Sequence, residues 1–340
     1  MRILVTGAQG YIGVPLASML LQRRHDVVGL DTGFYCDGWL YDDGLSVPPC
    51  IKKDIRHLTE IDLEGFDAVV HLAELSNDPL AQLDPRLTFE INHRGTVNLA
   101  RMCKTAGVSR FVYTSSCSVY GTGSGEYKTE ESNTAPQTPY AQCKLLVERD
   151  VLALADEAFA PTFLRNATAY GPSPRMRFDL VLNNLAGLAW TTREIRLTSD
   201  GTPYRPLVHV LDICAAVTCA LEAPRAAVER QIFNVGHSRE NYQIRELAEI
   251  VADAFPGCKV TVGSSDGDTR SYRVSCEKIH AALPGFRAQQ DAASGARELR
   301  TLFERIGLSR ETFEHRAFTR VKQLQHLLRT DQLDENFFWR

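Results

Sequence analysis

Short apolar runs rich in β-branched residues alternate with longer amphipathic stretches through the first half of the chain. Ile3–Thr6, Asp26–Leu30, Ala68–Leu72 and Arg110–Thr114 read as strands. Tyr11–Arg23, Pro85–Ala106 and Pro139–Ala155 read as the helices around them. Strands separated by helices make βαβ units, whose strands run parallel. Ile3-Leu4-Val5 is apolar at successive positions rather than alternating, so the sheet is expected to be covered on both faces. The pattern predicts an α/β fold built on a doubly wound parallel sheet. Pro161–Arg165 and Gln231–Val235 add further strands to it. Tyr170-Gly171-Pro172-Ser173-Pro174 interrupts the pattern and leads into a second lobe. The expected partition is 1–167 plus 207–235 for the sheet domain, and 168–206 plus 236–340 for a smaller mixed α/β lobe. Leu299–Leu328 is amphipathic and highly charged, and is expected to form a solvated helical surface. No internal repeat or low-complexity tract is present.

Composition narrows the classes without choosing among enzymes. With 340 residues, 44% hydrophobic and 24% charged, the chain is an ordinary globular one. A net charge of −4 gives no electrostatic reason for a nucleic acid or an anionic membrane as partner. No apolar run is long enough to span a bilayer. The start, MRILVTG, runs straight into a structural motif without an export signal, so the cytoplasm is the expected compartment. The nine cysteines are odd in number, scattered and free of any Cys-x-x-Cys pair. Neither a disulfide framework nor a metal site is expected from them.

Two motifs carry chemistry. Thr6-Gly7-Ala8-Gln9-Gly10-Tyr11-Ile12-Gly13 follows the first strand and opens the first helix. Gly7 permits the tight turn, Gly10 lets backbone approach a pyrophosphate, and Gly13 lets helix and strand pack closely. The helix N-terminus then offers free N–H groups to phosphate. Tyr11 and Ile12, within this turn, are counted as cofactor contacts. Asp31 ends the second strand at the spacing that a Rossmann-type dinucleotide site requires. Its carboxylate would accept ribose hydroxyls and repel a 2′-phosphate, which favours NAD.

The second motif is Thr138-Pro139-Tyr140-Ala141-Gln142-Cys143-Lys144, with Thr138 as helix cap and Pro139 in the first turn. Tyr140 and Lys144 are four apart and share a helix face. A phenol titrates near ~10 and needs neighbouring positive charge to serve as a base at neutral pH. Upstream, Phe111–Thr114 runs into Ser115, Ser116, Cys117 and Ser118. Hydroxyls at the carboxyl end of a parallel strand point into the ligand crevice. Ser116 is placed to bond the hydroxyl that Tyr140 deprotonates.

Together these residues resemble the extended short-chain dehydrogenase/reductase family, in its branch of nucleotide-sugar epimerases and dehydratases. TGAQGYIG, LDTG, KDIR, HLAELSNDP, INHRGTVNL, FVYTSSCSVYG, TPYAQCK, LRNATAYGP and RPLVHVLDI occur in family order. The resemblance implies that Asp54 and Ile55 flank the adenine, and that Leu72 and Ala73 lie along the ribose and pyrophosphate. It implies that Asn92 supports the cofactor site and that Thr114 borders the nicotinamide pocket. Ser116, Tyr140 and Lys144 match the family's catalytic triad. Arg205 matches the arginine that grips the diphosphate of the sugar nucleotide, a task suited to a guanidinium fork. Asn183 or Asn184 would be a second diphosphate contact and Arg270 a third. Ser76, Ser118 and Thr168 count among the substrate contacts. Arg175 and Arg177 either meet a charged sugar substituent or are solvated. The helices 85–106 and 139–155 resemble those that pair family members into homodimers.

This chain departs from the family in ways that shape the reaction expected. Cys117-Ser118 stands where family dehydratases carry Asp-Glu, so a 4,6-dehydratase is not expected. Thr168 replaces a frequent asparagine, and Glu74 a small residue. The leading expectation is an NAD-dependent epimerase acting at C4 through a transient 4-keto sugar. An alternative is 3,5-epimerisation with Cys117 as a thiolate base, although family enzymes of that type place their cysteine at the position of Ser118. A 4-keto reductase or dehydrogenase on the same fold is related to it. A regulator that binds the dinucleotide without chemistry is the third reading. Such proteins typically lose the tyrosine or lysine, and both stand here.

Overall fold

The computed structural model describes residues 1–123, 125–265 and 270–340. β1 (Arg2–Thr6) lies inside a seven-stranded sheet, between β2 (Asp26–Asp31) and β4 (Ala68–His71). β3 (Cys50–Lys52) is the edge beyond β2. β5 (Arg110–Ser116), the strand Ala160–Asn166 and the strand Ile232–Val235 follow beyond β4. Every pairing in this sheet is parallel. The chain winds one way from β1 to β3, then crosses back to β4 on the other side of β1. The carboxyl ends of β1 and β4 therefore diverge, and ligands of open α/β sheets bind in the crevice so formed.

The buried strands alternate between two cores. Ile3, Val5, Val70 and Val112 belong to one apolar cluster, and Leu4, Val69, Phe111 and Tyr113 to the other. Both faces are covered, as continuous apolar strands require. The helix α1 (Gly13–Gln22) follows β1, and the helix Pro139–Leu152 follows β5. The expected helix at 85–106 is continuous but has three segments, with a wide π turn at Phe89–Gly95 between Pro85–Thr88 and Thr96–Thr105. β3 was not foreseen: three residues after Pro48-Pro49 are too few to show a period.

Among the described residues three small sheets lie outside the large one. One joins Asn241–Gln243, Tyr204–His209 and Thr168–Tyr170. The second lobe's helices Val181–Thr192, Ile244–Ala254 and Ala292–Ile306 pack around Phe178, Leu185, Leu247, Leu299 and Phe303. Among the described residues no helix is long and apolar enough to cross a membrane.

The C-terminal segment departs from the expected partition. Residues 320–340 return to the sheet domain instead of completing the second lobe. Leu324, Leu327, Leu333 and Phe337 join the core of Leu4 and Val69. Trp339 Nε1 donates to the carbonyl of Thr32 at 2.6 Å, and Gln323 Nε2 to that of Phe34 at 3.0 Å. Phe338 stacks on His57. The stretch 299–328 is therefore no simple solvated surface. The apolar stripe of the helix Arg320–Arg329 needs a partner, and the loop after β2 supplies it. Tyr272, Val274, Ile279 and Phe286 also pack on the sheet domain.

His71, at the end of β4, is wholly buried, with its ring nitrogens 2.6 Å from Thr6 Oγ1 and 2.8 Å from Thr96 Oγ1. Burial, assisted by the charge of Lys144, lowers its pKa to about 3. In the unfolded chain a histidine takes up its proton near ~6.5. Between those values the unfolded state binds more protons, so this contribution is complete above about pH 6.5 and declines as pH falls toward 3. The slope reaches roughly 1.4 kcal/mol per pH unit. Denaturant titrations near pH 7.5 and about pH 5 should show the wild type losing on the order of 1–2 kcal/mol more than a His71→Gln variant. Equal losses would place the pH dependence elsewhere.

Candidate active site

The turn between β1 and α1 is shaped as a cradle. Gly7 has φ +73°, and a Cβ on it would meet the backbone N of Ala73 and C of Leu72 at 2.9 Å. A Cβ on Gly13 would lie 2.2 Å from the carbonyl oxygen of Gly7. Neither position accepts a side chain. Leu72 and Ala73 thus run directly against the turn, as expected. The amides of Tyr11 and Ile12 have no acceptor among the described residues, leaving donors and the positive end of α1 for an anion. The Tyr11 side chain instead braces the lobes: its hydroxyl donates to the Gly171 carbonyl at 2.7 Å.

Asp31 sits at the far side of the cradle. Its two oxygens accept the amides of Gln9 at 3.0 Å and Gly33 at 2.8 Å. Burial pushes its carboxyl up against these hydrogen bonds. A cavity of about 120 Å³ opens beside it, lined by Gln9, Asp31, Gly33, Cys36, Cys50 and Lys52. Asp54 and Ile55, expected to flank the adenine, lie outside its lining. Both Asp54 oxygens are bonded by Arg56, and Ile55 is a core residue. Asn92, in the π turn, brackets Leu75: its Oδ1 accepts the Leu75 amide at 2.9 Å and its Nδ2 donates to the Leu75 carbonyl at 3.0 Å. It supports the loop after β4 from beneath. Free amides, a glycine cradle and an acidic acceptor at the right spacing fit the diphosphate and adenosine ribose of NAD.

The catalytic end lies where β5 meets the helix Pro139–Leu152. Thr138 caps that helix, accepting the Ala141 amide at 3.2 Å and donating to Asp78. This places Tyr140 in the first turn, with its hydroxyl facing the Ser116 side chain. Lys144 Nζ lies 5.4 Å from the Tyr140 ring centroid and 4.5 Å from that of Tyr113. It donates to the Thr114 carbonyl and pairs with Glu74 Oε2, both at 2.5 Å. Tyr113 donates to Glu74 Oε1 at 2.6 Å. The triad is assembled, and Glu74 joins it. Sequence reasoning noticed that residue only as a departure.

The protonation of Tyr140 follows from these neighbours. Burial raises its pKa first, and the charges of Glu74 and Asp78 raise it further; Arg177 and the Ser116 hydrogen bond oppose them. Without ligand the phenol holds its proton. Burial likewise pushes the Glu74 carboxyl up while Lys144 pulls against it.

Several expected substrate contacts gather around this centre. Arg177 forks onto Asp179 at 2.9 and 3.1 Å and reaches Ser76 Oγ at 3.4 Å. Arg175 and Arg177 are only 6% and 7% exposed, so neither is a solvated arginine. Arg205, on the strand Tyr204–His209, donates to the carbonyl of Arg270, and Arg270 pairs with Asp78. Both act on the buried Tyr272. Thr168 sits beside Leu207 in the neighbouring strand. Among the described residues Ser118 Oγ and Asn166 Oδ1 are buried without partners, and Asn166 is in register with Ser116. Asn166 was not foreseen, although it is the last residue of its strand, as Ser116 is of β5.

Two expectations fail. Cys117 is no thiolate base: it is 1% exposed, its Sγ donates to the Arg165 carbonyl at 3.1 Å, and burial drives its pKa well up. β5 ends at Ser116, which caps the short helical turn Cys117–Tyr120, and that turn carries Cys117 into the core. Asn183 is no diphosphate contact: it is wholly buried and bonds the Gly171 amide, the Tyr11 hydroxyl and the Arg177 carbonyl. Asn184 spends only its amide NH₂, on Phe178. Among the described residues no cluster of three or more histidine, cysteine or acidic side chains is placed to hold a metal.

Comparison with known proteins accords with this geometry. Residues 3–236 match the model of the NAD dependent epimerase/dehydratase family. The UDP-glucose 4-epimerase of Corynebacterium glutamicum is 30% identical over 303 residues, covering 83% of this chain and 90% of that protein. MoeE5, solved in complex with UDP-glucose and NAD, is similar at a TM-score of 0.76 and 28% identity, over 90% of this chain and 99% of the other. DesIV, a dTDP-glucose 4,6-dehydratase of Streptomyces venezuelae solved with NAD bound, gives a TM-score of 0.78 at 27% identity, over 92% and 100%. With its glycine cradle, its Asp31 acceptor and its Ser116, Tyr140 and Lys144 set, this chain belongs to the NAD-dependent epimerase/dehydratase family, and NAD is its cofactor.

Proposed function

We propose that the protein epimerises a nucleotide-diphosphate sugar at C4, through a transient 4-keto sugar. The observation that carries this reading is the Ser116–Tyr140–Lys144 set facing the dinucleotide cradle, with Cys117 and Ser118 beside it where elimination would need carboxyl groups. Tyr140 takes the proton of the C4 hydroxyl as that carbon becomes a ketone, and returns it when the alcohol re-forms. Ser116 bonds the same sugar oxygen and holds Tyr140 in line. Lys144 is fixed by Glu74 and the Thr114 carbonyl and keeps positive charge beside the phenol. NAD held by the glycine cradle and Asp31 would supply the hydride chemistry at C4.

Arg205 and Arg270 would hold the diphosphate of the substrate, with Asn184 as the amide nearby. Ser76, Ser118, Asn166 and Thr168 would meet the sugar, since the first shares Arg177 and the buried polar atoms of the next two lack partners. The relatives named above, one a UDP-glucose 4-epimerase and one solved with UDP-glucose, support a nucleotide sugar as substrate. Cytoplasmic residence and a homodimer through the helices 85–105 and 139–152 belong to the same proposal. The outer side of those helices carries Arg94, Asn98, Arg101 and Arg149, so that interface would be polar, and sedimentation of the purified protein tests it.

Three variants examine the chemistry. Tyr140→Phe should lower turnover by about 10²–10⁴-fold while NAD stays bound; near-normal turnover would remove Tyr140 from the reaction. NMR in heavy water, with a panel of UDP-, GDP-, dTDP- and CDP-sugars, should show a new C4 stereoisomer without deuterium on carbon. Deuterium at C3 or C5 would mean enolisation instead. Glu74→Gln removes a charge that raises Tyr140, so the acidic limb of the kcat profile should move to lower pH. The same change leaves Lys144 buried without its counterion and should cost about 3 kcal/mol or more of stability. An unmoved limb would detach Glu74 from the base. Cys117→Ala should keep wild-type turnover, and a loss of activity in a fully folded Cys117→Ala protein would restore thiol chemistry.

A further inference from the structure

The C-terminal segment brings the crevice a buried cation that has no ion pair of its own among the described residues. Arg320, the first residue of the helix Arg320–Arg329, is 3% exposed. Among the described residues its guanidinium makes no hydrogen bond and no ion pair, and it lies 4.0 Å from the ring centroid of Tyr35. Carboxylates are near, but they are spent. Asp179 receives the Arg177 fork and, from Arg320, only the backbone amide at 3.4 Å. Asp31 receives the amides of Gln9 and Gly33. Burial, with the like charge of Arg177 behind it, lowers the Arg320 pKa to about 10. A buried guanidinium without a counterion is expensive to keep.

Among the described residues two more buried polar atoms of this region lack partners. The Tyr35 hydroxyl and the Arg175 Nε are both buried and unbonded. Arg175 otherwise donates to the carbonyls of Tyr35 at 2.9 Å and Cys36 at 2.6 Å, which fixes the loop after β2. The surroundings say what is missing. The charges of Arg320 and Arg175 act on Asp31, which marks the adenosine ribose. The charge of Arg177 acts on Tyr11, at the cradle, and on Tyr140, at the catalytic end. Arg320 packs on Tyr35 and bonds Asp179 through its amide, with Asp31 and Arg177 among its charged neighbours, between the ribose acceptor and the catalytic end of the crevice. The group with two negative charges on that stretch is the cofactor's own diphosphate.

We propose that Arg320 is a ligand of the NAD diphosphate, delivered by the C-terminal segment. The glycine cradle offers amides from one side, and Arg320 supplies the counter-charge from the other. The segment is tied down on both sides of the cofactor loop: Arg316 pairs with Asp37 at 2.9 Å, and Trp339 bonds Thr32. Cofactor affinity therefore depends on residues beyond 315, far from the motifs that announce the dinucleotide site.

Arg320→Met tests this, because Met keeps much of the volume and removes the charge. Titration calorimetry on cofactor-stripped protein should show ADP-ribose binding weakened on the order of ten- to hundredfold, with adenosine unchanged. Arg320→Lys should recover part of that loss. The melting temperature of the cofactor-free Met variant should hold or rise, since a charge without a counterion has been removed, while the shift induced by NAD shrinks. Equal weakening of ADP-ribose and adenosine, or a lower melting temperature with an unchanged NAD shift, would make Arg320 a structural residue and overturn the proposal. Unchanged ADP-ribose affinity in the variant would overturn it alone. No ADP-ribose binding by the wild type would overturn the NAD reading with it.

Discussion

One helix face held against the end of one strand sets the geometry of the catalytic end. Tyr140, Lys144 and Glu148 recur every four residues along the helix Pro139–Leu152, so they share a face. Each has a partner at the end of β5. Tyr140 meets Ser116, Lys144 donates to the Thr114 carbonyl, and Glu148 accepts from Ser115 Oγ at 2.5 Å. Two buried ion pairs lock that register: Lys144 with Glu74, and Glu148 with Arg165 at 2.6 Å. Such pairs contribute little net stability once desolvation is counted. What they contribute here is position. An axial slip of the helix would break both pairs together, leaving buried charges unpaired.

The parts of this arrangement that could be read from the sequence are those whose cause is local. Strands buried on both faces are apolar throughout, and Thr138-Pro139 marks a helix start by its own chemistry. Gly7 and Gly13 are required by contacts within their own turn and with the adjoining strand. Ser116, Tyr140 and Lys144 were legible because helix spacing and strand ends state which side chains share a direction. Cys117, weighed as the alternative base, lies just past β5 in a short helical turn, and four residues of turn show no period that would tell its buried side from its open one.

What was not legible depends on partners distant in the chain. An asparagine at 183 looks the same whether it meets a diphosphate or braces Tyr11 and Gly171. The stripe of the helix Arg320–Arg329 announces that one face is buried, but not that the loop after β2 will cover it. Arg320 is one arginine among many in a charged stretch, and only the assembled fold reveals that Asp31 and Asp179 are committed elsewhere. Glu74 likewise stood out as a substitution. Its meaning required Lys144, seventy positions on, to be brought to its side.

These long-range placements give the crevice a definite electrostatic bias. At its cofactor end the buried cations outnumber the carboxylates free to answer them. At its catalytic end Glu74 and Asp78 hold the proton on Tyr140. Bound NAD addresses both conditions: its diphosphate meets the unanswered arginines, and its positive nicotinamide favours the phenolate. A diphosphate held by Arg320 would favour retention of the cofactor between turnovers. A reductase or dehydrogenase must release its cofactor after every cycle, whereas an epimerase recovers the hydride within the cycle and has no need to. Retention of that kind suits epimerisation, whereas the Ser116, Tyr140 and Lys144 set alone does not distinguish the three chemistries.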